Sequence, residues 1–76
     1  MKTNMFDDIE KERRAQDANW GGPAHDDLHL RQDWCRLIED HNRRAKYEVG
    51  AFRRQMVRVA ALAIAAIEAE DRKDPQ

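Results

Sequence analysis

The chain has no serine, one threonine at Thr3 and one cysteine at Cys35 among its 76 residues. Hydroxyl-nucleophile chemistry therefore lacks a carrier. Cys35 follows Trp34 in a helical stretch that suggests no positioned base, so acyl transfer is set aside. A single cysteine forms no internal disulfide, and a lone thiol suits a reducing compartment, most simply the cytoplasm. Long apolar runs are also missing. The longest, VAALAIAAI from Val59 to Ile67, has nine residues, whereas a membrane span needs about 20. After Lys2 come Thr3, Asn4 and then MFDDIEKERR, which is no apolar leader segment, so no secretory signal is expected. Gly21 and Gly22 are followed by Pro23, but this cluster lacks the lysine and spacing of a phosphate-cradling loop.

The length predicts one small domain over 1–76. A chain of this size buries only about 60% of the surface its unfolded form exposes. Small scaffolds gain stability from disulfides, a metal or a partner chain. With disulfides excluded, metal binding and self-association remain. The net charge of −1 hides an uneven distribution. Residues 1–42 carry net −4, residues 43–58 net +5 and residues 59–76 net −2. A basic block between acidic flanks can hold an anion, or pair with acidic flanks of its own or a neighbouring chain. Acidity on both sides argues against a binder of long nucleic acids.

No strand alternation and no repeat is visible, and the fold class predicted is all-α. The order is helix, Gly/Pro joint, helix, and a long apolar C-terminal helix, making three helices. The first runs roughly from Asn4 to Asn19, with Asn4 as cap, Asp7 and Asp8 at the positive end of the helix dipole, and Gly21 as stop. Phe6, Ile9, Arg13, Gln16 and Trp20 recur on one face. The second runs roughly from Arg31 to Tyr47, with Trp34, Leu37, Ile38, His41 and Ala45 as its stripe. The third begins near Gly50 or Ala51 and ends near Asp71. The short passage at Gly50 also allows one bent helix. Residues 1–3 and 72–76 are expected to fray. From Met56 to Ile67 the third helix is apolar nearly all round apart from Arg58. A helix apolar on every side must be covered on every side, so a homo-oligomer joined through the 51–71 helix is expected.

Three groups of residues invite a chemical reading. In WGGPAHDDLHLRQDW (20–34), His25, Asp26, Asp27 and His29 offer imidazole and carboxylate ligands suited to zinc, manganese or iron. The spacing matches no metal template, and the plainer reading is a joint in which an aspartate caps a turn and the histidines hydrogen-bond. Trp20 and Trp34 frame this joint as packing residues, with a base-stacking role for Trp20 as the functional counterpart. His41 reads as a packed, hydrogen-bonded histidine on an apolar stripe. Arg54 and Arg58 stand one turn apart at the start of an apolar helix, near Arg43, Arg44, Lys46 and Arg53. Partly desolvated arginines bind phosphate or carboxylate in a forked geometry. The plainer alternative is a solvated charged face.

The run IEKERRAQDANWGG (9–22), a following helix, and then FRRQMVRVAALAIAAIEAEDR (52–72) resemble small phage and bacterial proteins of the MazG-like type. Those are all-α nucleoside triphosphate pyrophosphohydrolases that oligomerise through helices. The resemblance implies magnesium held by an E-E-x-x-E set and an E-x-x-D set, because magnesium takes hard oxygen ligands and bridges substrate phosphates. Here Glu39 and Asp40 match the paired acids, but Arg43 stands at the third position, and Gln55 and Arg58 stand at the second set. Arginine does not ligate magnesium but binds phosphate directly. The leading expectation is a non-catalytic, phage-type accessory protein of a bacterial cytoplasm. It would bind an anionic ligand, most plausibly a nucleotide, through Arg43, Arg54 and Arg58 for phosphate and Trp20 for the base. Sequestration of a host signalling nucleotide, an anti-defence role, would suit such a protein. The first alternative is a Mg²⁺- or Mn²⁺-dependent nucleotide pyrophosphohydrolase using Glu39 and Asp40, supplemented by His25, Asp26, Asp27 or His29. The second is a protein-interaction module that inhibits a host factor through the acidic first helix.

Overall fold

The computed structural model describes residues 4–73, all of whose regular elements are helices. There are four rather than three. Helix α1 spans Met5–Trp20, α2 Pro23–Asp26, α3 Arg31–Tyr47 and α4 Phe52–Lys73. The additional element, α2, is a single turn inside the Gly/Pro joint. Pro23 sits in its first turn, where a missing N–H costs nothing and the ring pre-sets φ.

Each long helix starts or stops where local chemistry dictates. The Asn4 side chain accepts a 2.7 Å hydrogen bond from the Phe6 N–H, satisfying one of the orphan donors of α1. α1 ends at Gly21, which adopts φ +98° and donates its N–H to the Asp17 carbonyl at 3.0 Å. That left-handed cap carries little strain only without a Cβ. α3 begins after Leu30, whose N–H donates to the Asp33 carboxylate at 2.8 Å. Asp33, three residues into the turn, thus supplies the acid half of a capping box. α3 and α4 are separate helices rather than one bent rod, because Gly50 at φ +74° turns the chain between them.

α4 is the common partner on which α1, α2 and α3 all pack. Its inward face carries Gln55, Leu62, Ala65 and Ala69, all buried. Leu62, Ala65 and Ala69 meet Trp34 of α3 in the core, with Leu37, Ile38 and Ala66 packed around them. Alanines on this face let α3 approach closely, so a single tryptophan fills much of the interface. Ion pairs then stitch the outside. Arg13 reaches Glu68 at 2.7 Å, Arg53 reaches Asp8 at 2.8 Å, and Arg31 reaches Glu70 at 2.8 Å. Much of the uneven charge of the sequence is thereby paired within the chain. Such exposed pairs contribute at most about 1 kcal/mol each, so they set register more than stability. α4 continues through Arg72 and Lys73, beyond the predicted end. Arg72 binds Asp27 at 2.8 Å, and Lys73 donates to the His29 carbonyl at 3.2 Å. The hydrogen bond and charge of Asp27 raise the Arg72 pKa above its ordinary value. The predicted fraying of 1–3 and of 74–76 lies outside the described residues. No described helix is long and apolar enough to cross a membrane.

Candidate functional site

Between α1 and α3, above α4, lies a cleft of about 170 Å³ lined by Glu12, Gln16, Asn19, Trp20, His41 and Arg58. Helical spacing builds its α1 wall: positions 12, 16, 19 and 20 fall on one face. Trp20, the last residue of α1, is 38% exposed. Gln16 is 8% exposed, and its Oε1 is buried without a hydrogen-bond partner. A buried acceptor left unmade costs about 1–3 kcal/mol, and here it stands in the wall of a polar cleft.

Arg58 enters from α4, with its side chain about one-third exposed. Its Nε lies 3.9 Å from Glu12 Oε1, beyond hydrogen-bond reach. The pair is loose, so the guanidinium keeps its forked donors available to a second anion. His41 closes the α3 side. Its Nδ1 sits 2.7 Å from Oε1 of Gln55, a residue only 1% exposed. An amide oxygen only accepts, so Nδ1 is the donor of this bond. The cleft thus combines a cationic fork and an indole face with polar side chains around them.

The Gln55–His41 bond gives this wall a testable foundation. His41→Phe strands the buried Gln55 amide and is expected to cost about 2 kcal/mol of unfolding free energy. Adding Gln55→Leu removes the stranded group and is expected to recover about half of that loss. Urea midpoints of the two single variants and the double variant measure this. Strictly additive losses would show that the bond contributes nothing.

The structure brings Trp20 and Arg58 together and places the other anticipated phosphate ligands elsewhere. Arg54 lies one turn before Arg58, exposed and 3.8 Å from Glu48. Arg43 lies on the outer surface of α3, bonded to Asp40 at 2.8 Å. It lines a shallow surface hollow there with Arg36, Glu39 and Asp40. Asp40 also holds Arg44 at 3.1 Å, so each of its carboxylate oxygens carries an arginine.

The joint residues form a ring ladder. Trp20 and His25 have centroids 6.1 Å apart, His25 and His29 4.9 Å, and His29 and Trp34 4.7 Å, the last two edge to face. The histidines therefore bridge the two tryptophans. Asp26 is buried at the end of α2, and Asp27 is taken by Arg72. Among the described residues, no three His, Cys, Asp or Glu side chains converge as a metal would require.

Sequence reasoning missed Glu12, Asn19 and the role of Gln55. A signal for Gln55 existed, because it stands seven residues before Leu62 on the same helical face. No protein-family model, curated protein or solved structure matches the chain.

Proposed function

We propose that this chain binds a small anionic ligand, a nucleotide by chemical class, in the α1/α3/α4 cleft without hydrolysing it. The observation that carries this reading is the meeting of Trp20 and Arg58 in one cleft. An indole offers a stacking surface to any base, worth about 1–3 kcal/mol per base. A partly desolvated guanidinium grips phosphate through paired N–H bonds.

Binding without turnover follows from what occupies the positions where MazG-like proteins carry magnesium ligands. Arg58 faces the cleft, Gln55 is committed to His41, and Arg43 is paired with Asp40. The resemblance to that family, a phage-type accessory role, and the sequestration of a signalling nucleotide belong to this proposal. So does self-association through α4.

Tryptophan fluorescence tests it. Titration with a panel of mono-, di- and cyclic nucleotides is expected to quench Trp20 saturably, with Trp34 as a buried, constant background. Arg58→Ala is expected to weaken binding roughly 10- to 100-fold, the range for losing hydrogen bonds to a charged group. Equal affinity in Arg58→Ala, or no saturable response to any nucleotide, would remove this reading.

A further inference from the structure

α4 has two different sides. The side above which the cleft opens is covered by α1 and α3. At 100° per residue, Arg53, Met56, Ala60, Ala63, Ile67 and Asp71 fall within an arc of about 80° on the opposite side. From Arg53 to Ile67 their spacing of three, four, three and four residues is that of a coiled-coil seam, and Asp71 follows just over one turn beyond Ile67. The side is only partly covered, with Met5 and Ile9 of α1 bordering its Arg53, Met56 and Ala60 end: Ile67 is 60% exposed, and Met56, Ala60 and Ala63 are half-buried. Phe52 at 64% and Ile64 at 40% flank it on α4, and Phe6 at 69% extends it onto α1. Scattered apolar exposure is ordinary, but a contiguous band along a helix marks an interaction surface.

The order of residues along the band identifies the occupant. It begins with a cation, Arg53, continues through Met56, Ala60, Ala63 and Ile67, and ends with an anion, Asp71. Turned end over end, this sequence is its own complement. A parallel copy would set Arg53 against Arg53 and Asp71 against Asp71. An antiparallel copy sets each against its opposite, and the small side chains of Ala60 and Ala63 fall at the crossing, where the helices must come closest. The charges agree. Glu68 and Glu70 on α4 are engaged by Arg13 and Arg31, whereas Asp71 has no ion pair among the described residues. Arg53 is bonded to Asp8 but is 62% exposed, and its five donors can serve two carboxylates.

We propose that two copies of this chain pair antiparallel through this face of α4, about a twofold axis near Ala60 and Ala63, with Arg53 of each copy opposite Asp71 of the other. The proposal rests on the self-association reading above and specifies its surface and orientation. An isologous contact of this kind closes at two subunits. It leaves both clefts open, because Arg58 points away from the seam.

The test uses the full chain in native mass spectrometry and sedimentation equilibrium. The expected wild-type species has twice the 8.9 kDa chain mass. Arg53→Asp and Asp71→Arg are each expected to weaken the dimer roughly tenfold, since each change makes two repulsive contacts across the axis. Together they recreate the pair with signs exchanged and are expected to return the dissociation constant to within about threefold of wild type. Ala63→Glu is expected to give a monomer with unchanged helical circular dichroism. A wild-type monomer at about 100 μM overturns both this proposal and self-association. A dimer in which the double exchange is no better than the single changes keeps self-association and overturns this face and orientation. A closed ring of three or more copies does the same.

Discussion

Leu62→Ala is expected to lower the unfolding free energy by about 3–4 kcal/mol and Tm by roughly 15–25 °C. Leu62 is 1% exposed and is, with Gln55, the largest fully buried side chain in the described structure. Its neighbours decide the magnitude. Ala65, Ala66 and Ala69 are too short to move into a cavity, and Trp34, Leu37 and Ile38 are held by α3. The site collapses poorly, which keeps the cost above the low end of the range for leucine truncation. At about 0.05–0.15 kcal/mol per residue, a chain of 76 residues has roughly 4–11 kcal/mol in total. One side chain therefore removes about a quarter or more of the stability. Leu62→Met, which keeps the volume, is expected to cost less than about 1.5 kcal/mol. Urea unfolding at one fixed protein concentration checks both, because any self-association adds a concentration-dependent term. A loss below about 1.5 kcal/mol for the alanine variant would mean that the α3–α4 interface is not the core of the protein.

The all-helical class was legible because two kinds of signal agreed. Apolar residues recurred at three- and four-residue spacing, and Asn4, Gly21 and Gly50 stood where caps and breaks were needed. The one-turn α2 was not legible, since four residues are too short for any periodicity to register. The direction in which α4 would be covered was not legible either. A helix apolar on every side announces that it needs neighbours, but not which side each neighbour takes. That depends on where α1 and α3 land, and so on Trp34 filling the alanine face and on pairs such as Arg13–Glu68 across 55 residues of sequence. The cleft was half legible for the same reason. Trp20 and Arg58 stood out by residue type, as an aromatic and a cation at the borders of apolar segments. Gln16 and His41 were on the predicted stripes but read as packing. Their convergence is a property of three helices at once. Arg43 shares a short stretch of sequence with Arg54 and Arg58, yet the turn at Gly50 carries it to another surface. Proximity along a chain predicts proximity in space only within one helix.

Trp34→Ala is expected to be the most damaging single change, at about 4 kcal/mol. It touches two structures at once. Trp34 is 6% exposed and fills the space above Leu62, Ala65 and Ala69. It is also the end of the ring ladder, with His29 edge-on at 4.7 Å. His29 is the member of the joint that depends on it most, because its Nε2 is buried with no hydrogen-bond partner. The ring is held there by packing rather than by a bond at that nitrogen. With Trp34 gone, His29 loses its floor, and water reaches Nε2. The segment 22–30 then retains the Asp27–Arg72 pair, the Lys73 contact to the His29 carbonyl and the Leu30–Asp33 bond, all exposed and individually weak. The expected result is therefore twofold: global destabilisation, and selective opening of the joint. Hydrogen exchange at the His29 amide, which donates to the Asp26 carbonyl at 3.1 Å, is expected to accelerate more than exchange in the middle of α1. Trp34→Phe separates the two effects. It keeps a ring against His29 while shrinking the core contact, so it is expected to lose about 1–2 kcal/mol with the joint protected. Equal acceleration of exchange throughout the Trp34→Ala variant would show that the joint opens only with the whole molecule, and that the ladder contributes no local order of its own.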